Sequence, residues 1–261
     1  VKVDPRGLKP ATDYFYRFRW NDQVSPVGAT HTAPAYTADI DEYKLVVASC
    51  ANYECGYFTA YRDMAERAAA GEIDVVVFLG DYIYEYPTGE YAGKSGVSRP
   101  HHPAHEIVSL EDYRVRYGRY RTDEHLQAAH AAAPWVVVWD DHESANDSWR
   151  GGAENHTEGA EGEWKKRESF AHQAYYEWLP VRAVRPSEGG HIYRSYQFGN
   201  LIKLTMMDLR SYRDEPVKAL GRDKDAPERS MLGSEQFDWV KGEVETAMTA
   251  WNVLGLSLIH I

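Results

Sequence analysis

The sequence predicts a layered α/β domain that follows the end of a smaller β module. Two apolar, β-branched runs, V-V-V-F-L-G-D-Y-I-Y-E at 75–85 and P-W-V-V-V-W-D-D-H-E at 134–143, each stop abruptly at charged side chains. Strand and helix patterns also alternate in the order β-α-β-α-β, which favours stacked layers. Burying such runs in a sheet places the charged residues at its carboxyl edge, where α/β proteins build their sites.

Residues 1–38 are predicted to be the C-terminal part of an immunoglobulin- or fibronectin-like β domain. A Gly/Pro turn precedes an aromatic, alternating run in G-L-K-P-A-T-D-Y-F-Y-R-F at 7–18, and A-T-H-T-A-P at 29–34 resembles a closing strand. Two or three strands cannot close a sandwich, so we expect the beginning of this module to be missing. Residues 39–43 are then a linker to the main domain at 44–255.

The main domain is predicted from short apolar runs and from helical periodicity. The predicted strands are 44–51, 74–79, 135–139, a hairpin of 192–198 and 201–207, and a last strand that starts at 251. The predicted helices are 58–70 with Gly71 as its cap, a helix capped by Ser109 and Asp112, 126–133, 162–179 and 234–249. The segments 86–107 and 144–160, rich in glycine and polar residues, are predicted loops.

The C-terminal end has an unusual sequence. The last predicted helix has Phe237, Val240, Val244 and Met248 on one face, which we expect to be its buried side. The final six residues, 256–261, can be encoded by CTG TCT CTT ATA CAC ATC, the end sequence of a sequencing-library transposon. Our hypothesis is that these residues are adapter read-through and that the gene continues.

Composition limits the function classes. A chain of 261 residues with 43% hydrophobic content can build one sizeable core and a small extra module. The formal charge of −11 argues against a nucleic-acid surface, which needs a basic stripe, but not against phosphate substrates, because bound cations reverse the local field. The apolar runs are too short for a transmembrane segment. Val1 is not a natural start, so the absence of a signal peptide says nothing about export.

Side chains that bind metals follow three of the predicted strands. They are Cys50 after the first strand, Asp81 and Tyr84 after the second, and Asp141, His142 and Glu143 after the third. Thiolate, phenolate, carboxylate and imidazole are the main metal-binding groups of proteins, so the pattern predicts a shared cluster of metal ligands. Taken alone, Asp81 would equally fit an ordinary loop residue, and Cys50 would be a buried structural cysteine or half of a Cys50–Cys55 bridge.

Six short segments extend the pattern over nearly all of residues 44–255. They are V-A-S-C at 47–50, F-L-G-D-Y-I-Y-E at 78–85, S-L-E-D-Y-R-x-R-Y at 109–117, V-W-D-D-H-E at 138–143, M-D-L-R-S-Y-R at 207–213 and L-G-S-E-Q-x-x-W at 232–239. With these segments the chain resembles the PhoD family of alkaline phosphatases and phosphodiesterases, within the calcineurin-like metallophosphoesterase superfamily. The resemblance implies a layered metallophosphoesterase sandwich, incomplete at its C-terminus.

The resemblance also implies roles for individual side chains. Asp81 would bridge the metals, and Cys50 and Tyr84 would bind a ferric ion. Asp141 would take the position of a metal-binding asparagine, and His142 that of the histidine that stabilises the transition state or protonates the leaving group. The expected cofactors are Fe³⁺ and Ca²⁺, and the expected reaction is hydrolysis by a metal-held hydroxide without a covalent intermediate.

Three more residues are weaker candidates. Asn146 is a further metal ligand by resemblance, whereas Arg210 would contact phosphate or, equally, form a salt bridge at a strand end. Asp208 is the next acidic residue at a strand end. We expect the histidines of the loop at 101, 102 and 105 to be solvated or to gate substrate rather than to bind metal.

The expected function is a secreted, metal-dependent phosphatase that scavenges phosphate from small-molecule monoesters or diesters. The alternatives are a phosphodiesterase or phospholipase-D-like activity of the same family and a non-catalytic, Ca²⁺-binding surface protein. The superfamily's later G-D-x-H-like motif would lie beyond the last helix, so we expect the complete protein to be active and this chain alone to bind metal poorly. By resemblance, a twin-arginine signal would lie upstream.

Overall fold

The computed structural model describes residues 2–217 and 226–258, so part of the predicted adapter segment, 259–261, lies outside the described residues. The strands are β1 (Asp13–Tyr16), β2 (Arg19–Trp20), β3 (Gln23–Val24), β4 (Gly28–His31), β5 (Leu45–Ala48), β6 (Val75–Phe78), β7 (Trp135–Val137), β8 (Arg194–Phe198), β9 (Ile202–Met206) and β10 (Trp251–Gly255). The helices are α1 (Thr59–Ala69), α2 (Leu110–Tyr120), α3 (Glu124–Ala132), α4 (Trp164–Trp178) and α5 (Gly233–Glu245). The predicted mixed α/β architecture is confirmed.

The central sheet is parallel and has the order β5-β6-β7. Val77 on the middle strand pairs with Val47 on one side and Val136 on the other. Every residue of β6 is buried, as its uninterrupted β-branched sequence predicts. The three strands run in one direction, so their carboxyl ends, and the side chains that follow them, meet at one edge.

A second sheet has the order β10-β9-β8. Its β8–β9 pair is the predicted hairpin, which turns at Gly199 with φ of +57°, and β10 then adds to β9 in parallel. A Cβ at Gly199 would lie 2.7 Å from the carbonyl oxygen of Ala38, so the glycine is needed where the hairpin touches the preceding segment.

Helix boundaries follow local signals. Ser109 and Asp112 form the predicted capping box at the start of α2, and α1 ends just before Gly71, whose φ is +74°. Tyr113, Tyr117 and Tyr120 on α2 are fully buried. Helix α2 packs against α4, and α1 packs against α3.

The prediction for the last helix is wrong in two respects. Helix α5 ends at Glu245 rather than at 249, and the Thr246 hydroxyl donates back to the Gly242 carbonyl oxygen over 2.7 Å at this end. Its predicted apolar face is exposed: Phe237 is 55% and Met248 is 94% exposed. Gln236 is the fully buried side chain of α5, because it accepts from and donates to the backbone of Asp208. The spacing of the apolar residues therefore predicted that a helix is present, but it did not predict which side of the helix is buried.

The N-terminal strands form two small antiparallel pairs, β1 with β4 and β2 with β3. Most of their side chains are exposed, including Phe15 and Trp20 at 75% each. Among the described residues, no helix is both long enough and apolar enough to span a bilayer.

Candidate metal centre

The first two strand ends meet through strained backbone. Cys50 and Asp81 have φ of +60° and +57°, values that cost non-glycine residues about 1 kcal/mol or more. The N–H of Cys50 donates to the carbonyl of Gly80 over 3.1 Å, and the N–H of Ala51 donates to that of Asp81 over 2.8 Å. Gly80 itself lies against the third strand end, since a Cβ there would be 2.4 Å from the Asp140 nitrogen.

Glu143 joins the second and third strand ends. Its buried carboxylate accepts the backbone N–H groups of Asp81 (3.0 Å), Tyr82 (2.6 Å) and Asp140 (2.8 Å). Burial and the nearby carboxylates raise the pKa of Glu143 to about 8, although the N–H donors oppose this shift. Both of its oxygens are thus occupied by backbone donors, and Glu143 positions the candidate ligands rather than facing a metal.

Asp81 lies at the centre of the cluster. The thiol of Cys50 and the hydroxyl of Tyr84 each lie 3.4 Å from its Oδ2. Its Oδ1 is buried without a hydrogen-bond partner among the described residues. Burial, together with the charges of Asp140 and Asp141, raises the pKa of Asp81 to about 7. A buried carboxylate oxygen without a donor is costly, and a cation at this position would satisfy it.

The third strand end supplies the remaining candidate ligands. One side-chain atom each from Asp81, Asp141 and His142 lies within 4.8 Å of the others, and all three residues are buried. Since Cys50 and Tyr84 contact Asp81, the structure brings five of the predicted site residues into one cluster. Their donor set of thiol, phenol, carboxylates and imidazole fits metal ions of different hardness.

His142 is held by a carboxylate that has no role among the sequence-based predictions. Its Nδ1 lies 2.8 Å from Oε2 of Glu85, which is fully buried. Burial alone would lower the pKa of His142, but Glu85, Asp141 and Asp81 together raise it to about 9. Its ring also stacks on Tyr84 with centroids 4.2 Å apart. Near neutral pH the ring is therefore a cation that can donate from Nε2.

Asn146 contributes its backbone to this network. Its N–H donates to Oε1 of Glu85 over 2.6 Å, whereas its side-chain amide donates to Glu154 over 3.0 Å. The Asn146 side chain is thus engaged with Glu154, next to the cluster. The adjacent Asp147 has φ of +50°, and its N–H donates to Oδ2 of Asp141 over 2.5 Å.

Arg210 forms the ion pairs that the sequence offered as one alternative. Its Nε donates to Asp140 over 2.5 Å, and its two terminal nitrogens lie 3.3 Å from Asp141 and from Asp147. The N–H of Arg210 also donates to Oδ1 of Asp208 over 3.0 Å, so Asp208 caps the turn that carries the arginine. The buried guanidinium therefore lies beside the cluster, within reach of a candidate metal ligand.

The long loop before α2 departs from its prediction. His101 is buried, and neither ring nitrogen has a hydrogen bond among the described residues, although Nε2 lies 3.6 Å from Oε2 of Glu54; the expectation that it is solvated is therefore wrong. Tyr91 of the same loop stacks on Tyr84 with centroids 5.6 Å apart, which lays the loop against the cluster. Cys50 and Cys55 are free thiols, which excludes the alternative of a bridge between them.

Known proteins resemble this chain over almost its whole length. The family model described as "PhoD-like phosphatase" matches residues 45–260, and the model of its N-terminal domain matches residues 1–34. Alkaline phosphatase D of Bacillus subtilis (strain 168) is 41% identical over 97% of this chain and 44% of its own length. A solved structure titled "Structure of PhoD" superposes with a TM-score of 0.88 at 40% identity, covering 95% of this chain and 48% of the other. The chain thus spans less than half the length of each relative.

Proposed function

Because the chain belongs to the PhoD-like phosphatase family, we propose that the protein hydrolyses phosphate esters at the cluster around Asp81. The observation that carries the proposal is the convergence of three strand ends on one buried carboxylate whose Oδ1 has no partner among the described residues. Phosphoryl transfer needs mainly positioning and charge stabilisation, and a buried metal cluster provides both.

We infer that two kinds of metal ion bind there. Cys50 and Tyr84 would hold Fe³⁺, since thiolate and phenolate favour that ion, and Asp141 with Asn146 would offer oxygen ligands to Ca²⁺. Asp81, which contacts Cys50 and Tyr84 and lies near Asp141, would be the carboxylate shared by both ions. Bound metal ions would neutralise the phosphate and acidify the attacking water.

The second part of the proposal concerns His142 and Arg210. The imidazolium of His142, charged because Glu85 holds its Nδ1, can donate a proton from Nε2 to a departing alkoxide or stabilise the charge of the transition state. Arg210 would exchange part of its ion pairing with Asp141 for a phosphate oxygen when substrate and metal are present.

The ester preference decides between the family activities. We expect the protein, expressed from its complete gene with Fe³⁺ and Ca²⁺, to hydrolyse p-nitrophenyl phosphate faster than bis(p-nitrophenyl) phosphate. A preference for the bis ester would favour the phosphodiesterase or phospholipase-D-like alternative. Binding of Ca²⁺ with no turnover of either ester would support the non-catalytic, Ca²⁺-binding surface protein instead.

The ferric site has a test of its own. A Tyr84–Fe³⁺ pair should give the metal-loaded protein a purple colour, which Tyr84→Phe should abolish while Tyr43→Phe keeps it. Tyr43 is a matched control because it stacks on Phe198, away from the cluster. A colourless iron-loaded wild-type protein would refute Tyr84 as a ligand.

The finer organisation also stays a proposal. We infer an immunoglobulin- or fibronectin-like module at 1–38 and a layered phosphoesterase sandwich at 44–255, and the two family matches at 1–34 and 45–260 support this division. Export by a twin-arginine signal and small phosphate esters as partners are expectations from the family. Fractionation of cells that carry the complete gene tests the first.

A further inference from the structure

Tyr91 completes a group of aromatic rings at the candidate metal centre. Its ring centroid lies 5.6 Å from that of Tyr84, 5.2 Å from that of Tyr86 and 5.7 Å from that of His142. Tyr84 and His142 are buried and Tyr86 is partly buried, whereas Tyr91 is 51% exposed. Tyr91 is therefore the most accessible ring of the group.

The loop that carries Tyr91 is anchored on both sides of this residue. The side-chain amide of Asn52 donates to the carbonyl oxygen of Tyr91 over 3.0 Å. The fully buried Glu54 accepts the N–H of Gly89 at its Oε1 over 3.0 Å, and its carbonyl oxygen accepts the N–H of Ser98 over 2.9 Å. These contacts restrain the backbone around Tyr91, so its ring forms a wall that is already in place when a ligand arrives.

The wall that Tyr91 forms lies where the alcohol part of an ester would depart. Under the proposed function, His142 donates a proton to the oxygen of the departing alkoxide, which places the carbon atoms of the alcohol next to the imidazole. Tyr91 and Tyr86, with ring centroids 5.7 and 5.6 Å from that of His142, border the same imidazole. The alcohol would thus meet an aromatic surface as soon as it extends beyond the ester oxygen.

We propose that Tyr91 selects the alcohol part of the substrate by stacking on it, so that flat, aromatic alcohols are preferred to saturated alcohols of the same size. The inference rests on the proposed function, because it assumes that the reacting phosphate lies at the cluster around Asp81. Two aromatic rings in contact gain free energy beyond the burial of their apolar surface, whereas a saturated ring gains mainly the burial. Tyr91 would thus set a preference among phosphate esters without taking part in the bond cleavage.

Binding of two inert analogues tests this preference without turnover. Calorimetry on the metal-loaded protein, expressed from its complete gene, would compare 2-phenylethylphosphonate with 2-cyclohexylethylphosphonate. In both compounds a methylene group replaces the ester oxygen, and the two differ only in whether the distal ring is aromatic. We expect the wild-type protein to bind the phenyl compound about fivefold more tightly, the value of one aromatic pair. Equal binding, tighter binding of the cyclohexyl compound, or binding of neither would overturn the proposal.

Substitutions of Tyr91 locate the preference. Tyr91→Leu keeps an apolar side chain but removes the ring, so it should bind both phosphonates equally, whereas Tyr91→Phe keeps the ring and should keep the ratio. Tyr57→Leu is the matched control, because Tyr57 is an exposed tyrosine whose ring packs on the guanidinium of Arg99, 5.2 Å from its centroid. It should also keep the ratio. An unchanged ratio in Tyr91→Leu, or an equal loss in Tyr57→Leu, would overturn the proposal.

Turnover of the matching esters separates this inference from the proposed function. The ratio of kcat/KM for benzyl phosphate over cyclohexylmethyl phosphate, both esters of primary alcohols, should fall about fivefold in Tyr91→Leu and stay unchanged in Tyr91→Phe. Wild-type protein that binds the phenyl analogue preferentially but hydrolyses neither ester would refute the phosphatase and leave the aromatic wall standing. Hydrolysis of both esters with an unchanged ratio in Tyr91→Leu would refute the aromatic wall alone.

Discussion

The charge on Asp81 should destabilise the metal-free protein as the pH rises. The pKa of its carboxyl is raised from 3.8 to about 7 by burial and by Asp140 and Asp141. Between these values the folded chain holds a proton that the unfolded chain has lost. Folding therefore takes up a proton, and the free energy of unfolding falls with increasing pH until the folded group also ionises.

The size of the effect follows from the two pKa values. The difference between 3.8 and about 7 corresponds to about 4 kcal/mol at high pH, of which about 3 kcal/mol develops between pH 5 and pH 8. In Asp81→Asn the side chain is neutral at every pH, so this contribution disappears. The new amide also places an N–H₂ group at the buried, unpartnered Oδ1, which costs about 1–3 kcal/mol at all pH values. The prediction therefore concerns the change of the unfolding free energy with pH, not its absolute value.

Urea unfolding of chelator-treated protein at pH 5 and pH 8 measures the slope. We expect wild-type protein to lose about 3 kcal/mol more than Asp81→Asn between these values. Asp63→Asn, the same change at a largely exposed aspartate on α1, should keep the wild-type slope. Parallel wild-type and Asp81→Asn stabilities from pH 5 to pH 8 would refute the reasoning, because the buried carboxyl would then carry no penalty.

Three more expectations follow from the same geometry. Glu85→Gln removes the charged partner of His142, so the pKa of that imidazole, raised to about 9, should fall by about one or more; an unchanged histidine titration by NMR would contradict this. Gly80→Ala places a Cβ 2.4 Å from the Asp140 nitrogen at a φ of +103° and should cost about 3 kcal/mol of unfolding free energy. The control Gly71→Ala, which has open space around the added Cβ, should cost about 1 kcal/mol. Equal costs of the two substitutions in urea unfolding would refute the close contact. Fe³⁺ and Ca²⁺ should stabilise wild-type protein more at pH 8 than at pH 5, because cations favour ionised carboxylates, and a thermal shift independent of pH would count against a carboxylate site.

The meeting of the candidate metal ligands was predictable because its signal is local. An uninterrupted β-branched run predicts a buried strand, and parallel strands bring their carboxyl ends to one edge. Cys50, Asp81 and Asp141 each follow such a run closely in sequence, so their meeting needed only the correct fold class. The capping box at Ser109 is equally local and was equally readable.

The features that sequence did not reveal depend on contacts between distant residues. Glu143 stands in the same motif as the candidate ligands, and only the structure shows that its oxygens face backbone donors. Glu85 belongs to the motif at 78–85, but its role was not predictable, because its partner His142 is 57 positions away in the sequence. The apolar face of α5 was predicted to be buried, but periodicity gives a face and cannot say what covers it.

Glu143 has a consequence for redesign of the centre. Under the proposed function, exchanging Cys50 or Tyr84 would alter which metal is preferred while leaving the surrounding chain in place, because each contributes a side chain to the cluster. Glu143 contributes the shape of two loops instead, through three backbone donors at once. A library that diversifies the candidate ligand positions should therefore keep Glu143 unchanged, since a substitution there would alter both loops that carry the other variable side chains.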